Sequence, residues 1–112
     1  MSRESQLKPQ WFQILLAVSD TRRHGAAIRD EVLRQTDGNV RLWPASLYGS
    51  LKDLVELGYI REAPLDGAAA AGDRRNFYAI TNAGRIAVQR EIERLEETIA
   101  MAVGKHVRVK NA

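Results

Sequence analysis

Ser46, Tyr48, Gly49 and Lys52 lie within seven residues of one another and are of types suited to meeting a polar ligand. A hydroxyl, a phenol and an ammonium group can each donate a hydrogen bond to a phosphate oxygen or a base edge. The glycine among them lets another surface come close. Further along, Arg74 and Arg75 stand side by side, and two adjacent guanidinium groups suit phosphate oxygens better than one defined base edge. Catalytic chemistry has no comparable set. His24 and His106 are far apart in the chain, there is no cysteine, and the carboxylates are spread along helical stretches. No catalytic residue, metal ligand or cofactor site is therefore assigned, and the chain is not read as an enzyme.

The element that must position the first four residues is a helix opening at Pro44 and closing before Gly58. Leu47, Leu51, Leu54 and Leu57 recur at helical spacing and commit one face to a core. Ser46, Tyr48, Gly49, Ser50 and Lys52 are left mostly outside. Proline suits the first helical turn, and glycine suits the left-handed position just past the last one. Trp43, directly before the proline, reads as a hydrophobic lid on the helix start. Two strand-like runs follow, residues 59–65 and 76–81, the second rich in aromatic and β-branched types. Between them residues 66–75 are small-sided and end in the two arginines, so an exposed, mobile hairpin tip is expected there.

Two helices precede this unit. Apolar residues at 7, 11, 14, 15 and 18 form a stripe over residues 7–18, and 28, 32 and 33 form another, ended by the turn pair Asp37-Gly38. His24 is expected to pack at the start of the second helix. Residues 40–42 read as a short extended bridge. Thr81 can cap a last helix over residues 82–103, in which Val88, Ile92, Leu95, Ile99 and Ala102 step by fours and threes between charged neighbours. The expected fold is mostly α with a small β-hairpin: a winged helix-turn-helix over residues 7–81, a dimerisation helix over 82–103 and a flexible basic tail over 104–112. The seam of the last helix has no partner in a three-helix core, so a homodimer through Val88, Ile92, Leu95 and Ile99, joined by Trp11 of the first helix, is expected. Trp11 and Phe12 could there sandwich a planar effector, although interface core is the plainer reading.

A chain of 112 residues is one domain, with a modest core that a partner subunit would enlarge. The net charge of +3 is misleading as a sign of nucleic-acid binding. Residues 1–81 hold eleven Lys or Arg against ten Asp or Glu, residues 82–103 three against four, and residues 104–112 three against none. The surplus sits in the tail, so a DNA face has to be argued from where cations fall on the fold. Without cysteine, a secretory signal or an apolar run of spanning length, a soluble cytoplasmic protein with no membrane partner is expected.

With these elements in order, the chain resembles the PadR-like family of winged-helix transcriptional regulators, in its short branch with a single C-terminal dimerisation helix. The resemblance covers roughly residues 11–103. It rests on Ile14-Leu15-Leu16-Ala17, on His24-Gly25 with Ile28, and on Leu42-Trp43-Pro44-Ala45-Ser46-Leu47-Tyr48 with Leu51, Leu54, Gly58 and Ile60. Residues 74–85, beginning Arg74-Arg75-Asn76-Phe77-Tyr78, complete it. The family commonly has an aromatic residue where this chain has Ala26 and proline where it has Gly49. The last helix also lacks the tryptophan around which some relatives build an aromatic drug site. The resemblance implies a homodimeric repressor on double-stranded DNA, with an inverted-repeat operator, often released by a small hydrophobic or phenolic effector. The residues themselves support the DNA part, through Ser46, Tyr48, Gly49, Lys52, Arg74 and Arg75. The rival reading is a winged helix that meets another protein and binds no DNA, which the same fold would serve.

Overall fold

Lys8 precedes Pro9, and the proline ring forces the residue before it into an extended conformation that cannot join a helix. In the computed structural model, which describes residues 7–65 and 75–109, helix α1 (Pro9–Ala17) accordingly starts two residues later than its apolar stripe. Leu7, left outside the helix, is still buried in the core. Strand β1 (Arg23–His24) runs directly into α2 (Gly25–Gln35). His24 caps this helix, its Nδ1 accepting the Ala27 N–H at 3.3 Å. At the other end Asp37 and Gly38 take positive φ of 52° and 81°, as the turn pair implied.

Helix α3 (Pro44–Glu56) has proline in its first turn and closes through Leu57 and Gly58, whose φ is 81°. The Tyr59 N–H then returns to the Leu54 carbonyl at 3.0 Å and the Gly58 N–H to that of Val55 at 2.9 Å. These two bonds satisfy carbonyls that the helix leaves open. Leu47, Leu51 and Leu54 are buried with Ile14, Leu15 and Val18 of the first helical segment and Ile28 and Val32 of α2. Leu57, expected on the same face, is 48% exposed, because the helix stops at Glu56 and the cap turns the chain before the fourth leucine reaches the core. Ser50, expected outside, is buried.

Strands β2 (Ile60–Glu62) and β3 (Phe77–Ile80) pair antiparallel, with Ile60 opposite Ile80 and Glu62 opposite Tyr78. β1 lies on the other edge of β3, Arg23 opposite Tyr78 and His24 opposite Phe77, which makes β3 central. That third strand was not expected, since two residues carry no alternation to read. Arg22 ties the wing to the turn before β1 by donating to the Pro64 carbonyl at 2.7 Å. The expected tip lies outside the described residues except for Arg75.

Helix α4 (Asn82–Gly104) begins at Thr81, whose hydroxyl accepts the Gly84 N–H at 3.0 Å and donates to the Gly58 carbonyl. The Thr81 N–H reaches the Tyr59 carbonyl at 3.0 Å, so the end of α3, the wing and the start of α4 meet at one junction. Ala87 and Val88 pack against the core, and Arg85 donates to the Ser19 carbonyl at 3.0 Å. Glu91, nearly buried, is held by Arg94. Beyond it Ile92, Ile99, Met101 and Val103 are exposed. Among the described residues no helix is long and apolar enough to cross a membrane.

Gly84 should be the least replaceable glycine of this junction. A Cβ there would run into the Tyr59 carbonyl oxygen and come within 2.8 Å of Ile80 Cγ1, and backbone gives way poorly. Gly84→Ala should lower unfolding free energy by about 1–3 kcal/mol, measured by urea denaturation.

Candidate nucleic-acid interface

The leucines of α3 fix which of its residues look outward. With Leu47, Leu51 and Leu54 in the core, Ala45, Gly49 and Lys52 lie along the outer face, all exposed. Tyr48 and Ser46 flank this line on opposite sides. Tyr48 is 54% exposed, and its ring leans over the start of α2. A Cβ on Gly25 would sit 2.8 Å from the Tyr48 hydroxyl oxygen and 3.0 Å from Cε1, so the bare glycine is what admits the ring. The His24-Gly25 pair thus does two jobs, capping α2 and seating Tyr48. The tyrosine is a half-packed residue with its hydroxyl at the rim.

Ser46 leans the other way, toward α1. Gln10 donates from Nε2 to the buried Ser50 hydroxyl at 2.6 Å and to the Ser46 hydroxyl at 3.2 Å. The Ser46 hydroxyl can return a bond to Gln10 Oε1 at 3.4 Å. This explains why Ser50 faces inward: a glutamine from another helix satisfies it there. Sequence reasoning missed Gln10, because the two partners are 40 residues apart and nothing local links them.

Lys52 forms an ion pair with Glu56 one turn on, Nζ to Oε2 at 3.0 Å. The hydrogen bond to that carboxylate, and then its charge, raise the lysine pKa above the usual value, so Lys52 carries its charge at neutral pH. An exposed pair of this kind is worth little and yields readily to a phosphate. Gly49 faces open space, with nothing within 4 Å of where a Cβ would stand. Trp43 is not the expected lid. It is 65% exposed, since Pro44 holds it in the extended conformation φ −76°, ψ 155° and the core below is already filled by leucine.

At the base of the wing Arg75 lies against His24, Nη1 to Nε2 at 2.8 Å, with its guanidinium carbon 5.7 Å from the centre of the Phe77 ring. His24 and Phe77 meet edge to face, centroids 5.3 Å apart. The arginine is thereby held beside the start of α2. Arg74 lies outside the described residues. Burial, and secondarily the nearby Glu62 carboxylate, push the Tyr78 hydroxyl pKa up, so it stays protonated as a structural phenol under β3.

Helix α3, backed by α2 and flanked by a wing, is the arrangement of a winged helix-turn-helix. A family model, the transcriptional regulator PadR-like family, matches residues 14–90. The chain belongs to the PadR-like family of transcriptional regulators. Its fold is similar to that of a transcriptional regulator from Clostridium thermocellum, at TM-score 0.71 and 23% identity over 88% of this chain and 89% of that one. A PadR-like transcription factor from Bacteroides fragilis gives 0.66 and 16% over 88% and 89%. RosR of H. salinarum gives 0.63 and 27% over 89% and 93%. No curated protein matches by sequence. Membership makes this PadR-like chain a DNA-binding regulator of transcription.

In the seam of α4, Val88 packs against the chain's own core and Leu95 is half-buried, while Ile92 and Ile99 are exposed. Val88 is therefore engaged within its own chain, where the first turns of α4 cross α1. Trp11 and Phe12 are partly buried against the same core, with Lys8 Nζ 4.8 Å from the centre of the Trp11 ring.

Gln10→Ala should cost about 1–2 kcal/mol of stability, since it leaves the Ser50 hydroxyl buried without its donor. Adding Ser50→Ala should recover part of that loss, and a double-mutant cycle by urea unfolding measures the coupling.

Proposed function

We propose that this protein is a homodimeric repressor that lays the outer face of α3 in successive major grooves of an inverted-repeat operator. The observation that carries the reading is Gly49. A glycine in the middle of an exposed helix costs about 1 kcal/mol relative to alanine, and here no internal contact requires it. The fold gains nothing from the bare Cα, whereas a surface approaching from outside does. Lys52 stands one turn further along the same line, charged and ready to leave Glu56 for a phosphate or a guanine edge. Tyr48 and Ser46 bound the strip on either side, and Arg75, with Arg74, would hold the neighbouring backbone.

The dimer is supported by the exposed apolar residues on one face of α4, Ile92, Ile99 and Val103, joined to the half-buried Leu95. A second copy of the same helix covers such a stripe most economically, and Trp11 lies on the helix that α4 crosses. Two α3 helices would then enter grooves roughly 34 Å apart, placing half-site centres about 10 base pairs, or a multiple, from each other. A small hydrophobic or phenolic effector that enters beside Trp11 and Phe12 would change that separation and release the DNA.

Selection of bound genomic fragments gives the operator on which the following are measured. Lys52→Ala should lose about 1–3 kcal/mol of operator affinity and relax choice at one position per half-site if the lysine reads guanine. Gly49→Ala should gain up to about 1 kcal/mol of stability and lose operator affinity. If Lys52→Ala binds every sequence as the parent does, and Gly49→Ala is more stable with unchanged affinity, this face does not meet DNA. Replacing Arg74 and Arg75 with alanine should weaken operator and unrelated DNA alike and flatten the salt slope by about one to two units. Glutamate at Ile92 and Leu95 together should give monomers in sedimentation. A variant that still sediments as a dimer would show that the subunits meet elsewhere.

A further inference from the structure

Trp43 has no packing role that accounts for it. The largest side chain of the bridge before α3 stands 65% exposed, yet it is not loose. Pro44 restricts its backbone to the extended form observed, and Arg41 lies over its ring with the guanidinium carbon 5.8 Å from the centroid. The pair is preorganised without being buried. Its surroundings are selective in charge as well. From Asn39 to Leu51 Arg41 is the sole charged residue, and no acidic side chain lies in the first turn of α3. A large flat ring with one N–H donor, beside a guanidinium and in a stretch of chain without carboxylates, complements a polyanion. Both residues stand at the end of α3 from which the strip Ala45–Gly49–Lys52 begins, so a duplex seated on that strip passes beside them.

We propose that Arg41 and Trp43 form a second DNA contact, which grips the sugar-phosphate backbone at the edge of the groove that α3 enters. This rests on the reading of α3 given above. Arg41 supplies a charged contact to a phosphate, and the indole of Trp43 supplies an N–H to a phosphate oxygen and a flat surface against the sugar. The contact adds affinity without reading bases.

Arg41→Ala and Trp43→Ala are tested on two duplexes by fluorescence anisotropy across a salt series: one recovered by selection from genomic fragments, one of unrelated sequence. Both variants should keep the unfolding midpoint of the parent. Trp43→Ala should weaken binding to both duplexes by roughly tenfold, the worth of one lost hydrogen bond with its contact. Arg41→Ala should also lower the slope of log affinity against log salt by about one unit. In a Trp11→Phe background Trp43 is the sole indole, and its emission should change on adding either duplex. A marked loss of stability in Trp43→Ala would make Trp43 a lid and overturn the proposal. Parent-like affinity and salt slope in both variants would overturn it while leaving the α3 reading intact. If the parent itself binds neither duplex, both readings fall together.

Discussion

Helix α3 has to be core on one side and free on the other, and this constraint governs the rest of the molecule. Leu47, Leu51 and Leu54 are buried to within 2% of full burial, each contributing about 1.5–3 kcal/mol, so the helix cannot rotate without losing several kcal/mol. Its outer line is therefore fixed as firmly as its inner one. Ser50 and Gln10 refine the setting, since a buried hydroxyl with a dedicated donor tolerates little rolling of α3 against α1. The closing turn at Gly58 matters for the same reason. It delivers the chain to the Tyr59 carbonyl, on which Thr81 and Gly84 converge, so the pose of α3 propagates into both the wing and α4.

α4 is divided by its own composition. Up to Glu91 it is a core helix, with Gly84 pressed on backbone, Val88 on the core and Arg85 on the end of the α1 segment. After Glu91 the apolar residues continue at helical spacing while the domain beneath them has ended. The Glu91–Arg94 pair marks the boundary, where a nearly buried carboxylate needs a partner that can still reach solvent. The helix is thus anchored at one end and exposed along its other half. Its first half packs on α1, the helix whose Gln10 bonds the serines of α3.

Much of this was legible because chain punctuation is local. Pro44, Gly58, Asp37-Gly38 and Thr81 each announce a boundary through their own backbone preferences, and each stands at the boundary observed. The leucine period gave the core face of α3 for the same reason. The misreadings fall where a distant partner or an abrupt end decides. Ser50 turned inward on account of a glutamine far away in sequence, Leu57 turned outward because the cap came before it, and Arg23-His24 became a strand only through pairing with β3. Of the candidate site, the outward set of Tyr48, Gly49 and Lys52 was legible from periodicity. The bed that Gly25 provides for Tyr48 and the engagement of Arg75 by His24 depend on chain crossings that no spacing reveals.

The charge distribution bears on why such a regulator would act as a pair. The α3 strip offers Lys52, and Arg41 and Arg75 lie at its margins, while the cationic surplus of the sequence falls in residues 104–112. A few phosphate contacts per copy give only weak, strongly salt-dependent binding. Linking two copies makes the second encounter intramolecular and raises affinity by orders of magnitude without any new contact, provided both α3 helices reach grooves of the same duplex together. In the proposed dimer, operator affinity then depends less on any single side chain than on the distance between the two strips. In such a dimer that distance would be set where α4 leaves its own core, by the angle at which Ile92, Leu95 and Ile99 would meet their counterparts. A ligand that altered this angle by a small amount would forfeit the simultaneous fit and with it most of the affinity, which is how a domain with so modest a cationic face could still be switched cleanly.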